Sequence, residues 1–289
     1  AAGKLRLLDL EPSLTHTYTL LSGLVGGALL SAASHGTDHL IVQRLLATRS
    51  LGDARTALVG SGIMVIAQFS LFLLVGSAIW AAGLAPGEMA SDNIFPSFVI
   101  NHLPTGLAGL VIAGILAAAM GTHSSAINSL ASSATHDLYA SWTGRRDPVH
   151  LLKVGRVISA AWAIGLVAGA LFFHATAGGG QTPVVVLALS IASVTYGPLL
   201  GTYLLAGRWP RARGRDVVGA VAVTVALMLV VIFAKRLAAA PGLGWLEPLG
   251  RLAWPWYVPL GTLLAVGSGI ALSYLPGQEP RSSISASRS

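Results

Sequence analysis

The chain has 289 residues, 54% of them apolar and only 10% charged, with mean hydropathy +0.71. That composition excludes an ordinary soluble domain, which is about a quarter charged, and points to an all-α polytopic membrane protein. The formal charge of +7 is no signature of nucleic-acid binding, because the basic residues cluster in alternate connections between apolar runs, and the absence of cysteine removes disulfides, thiolate metal sites and thiol nucleophiles.

About seven transmembrane helices are expected, each long enough to cross about 30 Å of hydrocarbon once tilt is allowed. Their predicted bounds are 18–34, 57–82, 106–138, 154–173, 184–205, 217–234 and 255–274. Residues 1–8 carry neither an initiator Met nor the pattern of a signal peptide, so the chain is expected to be an internal piece of a longer protein. The first run holds Ser22, Gly23, Gly26 and Gly27, a plausible helix break because glycine tolerates unwinding, followed by the hydroxyls of Ser31 and Ser34. Tight helix packing through the same small residues is the other reading. Asp38 and Arg44 sit at the end of this run, where they suit either a gate or helix-end capping.

The second run carries one central amide, Gln68. Residues 84–104, with Pro86, Glu88, Asp92, Pro96 and Pro104 around IFPSFVI, predict a structured cap or short interfacial helix. The third run ends in LAAAMGTHSSAINSLASSATHDLY, residues 116–139, with Asp137 near its close. Polar side chains at membrane depth are expensive unless they face a bundle interior or a wet cavity. On a helix Ala118, Gly121, Thr122, Ser125 and Ser129 fall on one stripe of small residues and hydroxyls, which can approach an ion. Alternatively the hydroxyls bond back to carbonyls four residues earlier and the small residues serve packing.

Basic residues set the orientation. Arg44, Arg49 and Arg55 lie in the first connection, Arg145, Arg146, Lys153 and Arg156 in the third, and Arg208, Arg211, Arg213 and Arg215 in the fifth. Arg281 and Arg288 lie in the tail, whereas the second and fourth connections contain no Lys or Arg. The positive-inside rule then puts the carboxyl end in the cytoplasm. Residues 1–276 form the expected transmembrane domain, and the Ser-rich 277–289 have too little apolar surface to fold alone and predict a disordered cytoplasmic tail.

Three patches carry a family resemblance: SHGTDHLIVQRLLATRSLGDAR at 34–55, DNIFPSFVINHLPTGLAGLVIAGILAAAMGTHSSAINSLASSATHDLY at 92–139, and LSIASVTYGPLLGTYLLAG at 189–207. Together they resemble the sodium:solute symporter family over about residues 14–207. The resemblance implies the second inverted repeat of a five-plus-five, leucine-transporter-type fold plus two extra helices, in which substrate and ion bind near the midplane beside broken helices. It also implies that the amino-terminal half of the same protein, holding the first repeat, is missing here, and that this piece alone does not transport.

By position, the resemblance places a sodium ion, the coupling ion, at the Ala118 carbonyl and at the hydroxyl pair matched by Gly121 and Thr122. Gly121 departs from that pattern, because a hard cation prefers oxygen ligands and glycine offers no side-chain oxygen. Ser125 or water can replace it, and the adjacent His123 can instead titrate and support proton coupling. Ser31, Ser34 and Gln68 are the implied substrate contacts, and Asp38, Arg44 and Asp137 an inner gate.

The implied activity is cation-coupled symport of a small polar solute across a plasma (inner) membrane, with the lipid bilayer as the other partner. A transporter-like sensor domain and a seven-helix receptor are the other classes. No lysine for a Schiff base stands in the last run, and the sequence given ends without a signalling domain. An enzyme is not expected, since no paired carboxylates, metal-ligand cluster or phosphate loop share one depth, and no cofactor beyond the ion is implied.

Overall fold

The computed structural model describes residues 8–275 apart from 86, 88 and 177–182. The expected tail, 277–289, and two members of the expected cap, Pro86 and Glu88, lie outside the described residues. The described residues are helical throughout, without strands. This is the answer that hydrocarbon enforces, since a helix satisfies its backbone hydrogen bonds within one segment.

The elements in chain order are a π-helical turn Ser22–Gly27, α1 (Ala28–Thr37), α2 (His39–Leu46), α3 (Leu51–Ala81), α4 (Ser91–His102), α5 (Thr105–Ser133) and a second π-helical turn Ala134–Tyr139. There follow α6 (Ala140–Thr143), α7 (Pro148–Thr176), α8 (Val184–Arg208), α9 (Gly214–Leu237), α10 (Glu247–Gly250) and α11 (Tyr257–Ser273). Among the described residues, six helices are long and apolar enough to cross a membrane: Leu51–Ala81, Thr105–Thr143, Pro148–Phe172, Val184–Arg208, Gly214–Leu237 and Trp254–Ser273. The first expected run is helical over residues 20–37, but four glycines and several polar residues make it the least apolar of the set. Its predicted break is a π turn over the same glycines, so the helix widens there without unwinding.

The chain divides into two compact units, Ala1–Val42 with Val184–Ser289, and Gln43–Pro183. In the first, α11 packs most extensively on α8 and then on α9. The α8–α11 contact is built from small residues one turn apart. A Cβ added at Gly197 would lie 3.0 Å from the Gly261 Cα, and one at Gly201 would lie 2.6 Å from both the Ala265 Cβ and the Thr262 carbonyl oxygen. Lipid tails are as apolar as leucine, so close backbone approach, and not hydrophobic burial, drives such a contact. Thr262 Oγ1 adds a hydrogen bond to the Gly197 carbonyl at 3.3 Å, and Pro198, fully buried, removes a backbone donor beside it. Ala33, Leu200 and Val258 form a buried cluster joining α1 to this pair.

The amino end of the first helix is closed by hydroxyls. Thr19 and Ser22 accept from each other's backbone N–H groups at 3.1 and 3.2 Å, and Ser22 Oγ, fully buried, donates to the Thr17 carbonyl at 2.6 Å.

In the second unit α3 begins at Ser50, whose side chain accepts from the Asp53 N–H at 3.1 Å, and runs for 31 residues with most of its surface exposed. The expected cap contains α4, whose Phe98 and His102 rings stack at 5.9 Å. An α5–α7 hairpin completes the unit. Gly144, at φ +68°, ends α6 in the left-handed conformation that glycine adopts without strain. Asp147 Oδ2 then accepts the His150 N–H at 2.8 Å, capping α7, and Tyr139 Oη and His150 Nε2 hydrogen-bond at 2.8 Å across the hairpin.

The α8–α11 contact generates a test. Gly201→Ala should lower stability by about 1–3 kcal/mol through overpacking. Gly207→Ala, where an added Cβ has nothing within 4 Å, should leave stability unchanged or slightly raised. Thermal unfolding midpoints in neutral detergent check both, and equal midpoints would remove the close approach as the stabilising feature.

Candidate functional site

The α5 stripe forms as its spacing dictates. Ala118, Gly121 and Thr122 are exposed on this chain and Ser125 is half-buried. Thr122 Oγ1 donates to the Ala118 carbonyl oxygen at 3.0 Å, so the two expected oxygen ligands stand side by side on one turn. That bond uses only the hydroxyl proton, and each oxygen keeps lone pairs free for a cation. An added Cβ at Gly121 has nothing within 4 Å, so the place of the absent hydroxyl is open.

His123 belongs to a different face. With Leu116, Met120 and Ile127 it lines a cavity of about 530 Å³ that reaches Ser159 of α7. The helical advance of about 100° per residue separates it from Thr122, a signal already available in the sequence. Gln68 is exposed on α3, which among the described residues packs extensively on no other helix.

Ser31 and Ser34 lie on α1 in the first unit, one turn apart. They gather around His35, an imidazole outside the expected contacts. Its Nδ1 is 2.9 Å from the Ser31 carbonyl oxygen, 3.1 Å from Ser34 Oγ and 3.4 Å from Ser31 Oγ. The two hydroxyls and the imidazole make one polar patch, half-buried at Ser34 and His35.

Asp38 ends α1 in extended backbone, and its carbonyl receives the N–H groups of Ile41 and Val42 at the start of α2. Its carboxylate is held by Tyr196 of α8, whose Oη donates to Oδ2 at 2.8 Å across 158 residues of sequence. Tyr196 was not among the expected site residues, since nothing local singles it out. Arg44 and Asp137, the other expected gate residues, belong to the second unit.

An all-helical, polytopic membrane protein with a polar stripe on one long helix and a glycine-containing π turn beside a hydroxyl cluster has the parts of a membrane transporter. The profile of the sodium:solute symporter family matches residues 13–226. The chain belongs to that family. It is 26% identical to the sodium/sialic acid symporter NanT of Aliivibrio fischeri over 249 residues, 84% of this chain and 46% of that protein. Similar matches are the sodium-dependent multivitamin transporter of Oryctolagus cuniculus, 28% identical over 71% of this chain and 32% of that protein, and the human sodium/iodide cotransporter, 26% identical over 81% and 37%. The chain thus spans about half the length of the first and about a third of the others.

The Asp38–Tyr196 bond gives a prediction. Hydrogen bonds to a charged group are worth about 1.5–3 kcal/mol, so Tyr196→Phe should destabilise the protein by roughly that amount. Combining it with Asp38→Asn should show strong non-additivity in a double-mutant cycle read by thermal unfolding. Additive effects would mean that the two side chains do not act together.

Proposed function

We propose that the complete protein is a sodium-coupled symporter of a small polar solute, working by alternating access in a plasma (inner) membrane with its carboxyl end in the cytoplasm. This chain supplies the second of two inverted five-helix repeats and two further helices, and the remainder of the protein supplies the first repeat. The observation that carries the reading is the α5 stripe inside the family match, where the Ala118 carbonyl and Thr122 hydroxyl present paired oxygens. Such a pair suits a hard monovalent cation, which binds through oxygen.

Sodium is favoured over a proton because His123 faces away from the stripe, toward α7, and so stands apart from the oxygens that would share its charge. The relatives' names share sodium but span sialic acid, vitamins and iodide, so the ion is the common element and the solute is set elsewhere. In this chain the solute-facing groups are Ser31 and Ser34 with His35, and Gln68. Asp38, held by Tyr196, is a gate residue of the first unit, and Arg44 and Asp137 are gate residues of the second.

In the full-length protein, Thr122→Ala should weaken sodium binding about tenfold, some 1.4 kcal/mol, while Thr122→Ser retains it. Gly121→Ser should tighten it by restoring a hydroxyl where there is room. Sodium titrations followed by intrinsic tryptophan fluorescence read all three, and an unchanged response in Thr122→Ala would sink the ion assignment.

A further inference from the structure

A second cavity, of about 610 Å³, lies within the α5–α7 hairpin at its loop end. Its polar lining is made of donors: Arg146 from the connection, Arg156 two turns into α7, and His136, Ser132 and Asn128 from the π turn and the end of α5. Thr135 also lines it. This side chain is 2% exposed, and its Oγ1 has no hydrogen-bond partner. A Cβ at Gly155 of α7 would sit 3.5 Å from that oxygen, so the glycine keeps the hydroxyl's side of the cleft clear.

A buried hydroxyl without a partner is costly, and an intact native structure rarely leaves one unexplained. The adjoining carboxylates, Asp137 and Asp147, do not line the cavity, and neither arginine pairs with a carboxylate among the described residues. Two guanidinium forks with hydroxyl, amide and imidazole donors around one space match an oxyanion with several acceptor oxygens.

The depth fits as well. The helical run Thr105–Thr143 has 39 residues, about 58 Å at 1.5 Å per residue, which exceeds about 30 Å of hydrocarbon and leaves length enough for the end beside Arg145 and Arg146 to reach a headgroup layer.

We propose that this cleft binds a phosphate group, held by Arg146 and Arg156 with Thr135 donating from its floor. The phosphate is either the headgroup of an anionic phospholipid or a free phosphate, and the site is independent of the transport reading. The full-length protein, delipidated in neutral detergent, is to be offered phosphatidylglycerol or phosphatidylcholine and followed by native mass spectrometry. It is offered inorganic phosphate in parallel, with chloride at equal ionic strength as control, and followed by thermal shift.

Retention of phosphatidylglycerol but not phosphatidylcholine, reduced several-fold in R146Q/R156Q and in T135V, identifies a lipid headgroup. Saturable stabilisation by phosphate alone, lost in the same variants, identifies the free ion. R146Q/R156Q alters exposed positions and should fold normally, and T135V, which removes an unpartnered hydroxyl, should melt no lower than wild type without ligand. Equal binding by wild type and R146Q/R156Q with both probes would overturn the site, and full binding by a folded T135V would overturn the role of Thr135.

Discussion

The hydrogen bond from a Ser or Thr hydroxyl to the carbonyl four residues earlier is what lets the long apolar helices carry hydroxyls at membrane depth. Ser70 bonds to the Ile66 carbonyl, Ser77 to Leu73, Thr122 to Ala118, Ser159 to Gly155, Ser190 to Val186, Ser193 to Leu189 and Thr202 to Pro198, at 2.7–3.0 Å. Each bond satisfies a donor that lipid would leave unpaired and keeps the helix self-sufficient. The same bond has different consequences by place. At Ser193, fully buried, it hides polarity inside a packed unit, whereas at Thr122 it sets two oxygens side by side on an open face. Thr135 makes no such bond. It sits in a π turn, where the backbone N–H of Ala140 reaches five residues back to the Thr135 carbonyl, and the ordinary i−4 register is lost.

Packing divides along similar lines. The largest fully buried side chains, among them Leu205, Met228, Val258 and Thr224, all lie in the first unit, where α8, α9 and α11 meet through small residues. Thr224 and Ser268 sit 3.4 Å apart across the α9–α11 contact. In the second unit α3 is exposed over nearly its whole length, with Phe69, Phe72, Leu73 and Leu74 outward. Apolar exposure on that scale is what a helix against lipid or against another part of a bundle presents.

Helix existence was legible because apolar length is a local property. The expected run 57–82 is α3, Leu51–Ala81, and the expected cap contains α4. The extra turn at the start of α3 follows Ser50 and Asp53, a capping pair that the apolar count ignores. The Asp38–Tyr196 bond was not legible, because it depends on where α8 is carried 158 residues later. Nor was the α8–α11 contact, since Gly197, Gly201, Gly261 and Ala265 read as ordinary membrane-helix residues until two backbones are seen to touch. The place of His35 is local but needs the helix: its ring meets the Ser31 carbonyl one turn back and the neighbouring Ser34 hydroxyl only once residues 31–35 are wound.

If the proposed ion site at Thr122 holds, its arrangement limits how an ion gradient can act through it. An ion shifts a conformational equilibrium only by the difference in its affinity for the two states. The Ala118 carbonyl and the Thr122 hydroxyl lie on a single turn of α5 and are bonded to each other, so no rigid-body movement of that helix changes the distance between them. On the proposed reading they are a fixed ion half-site, whose own contribution is the same in every state in which α5 is intact. State dependence on that reading comes from ligands brought to the stripe by another segment, and the open space at Gly121 makes them more decisive, since α5 itself supplies one fewer. Because coupling is reciprocal, whatever factor such a segment gives to ion affinity when solute binds, it returns to solute affinity when the ion binds.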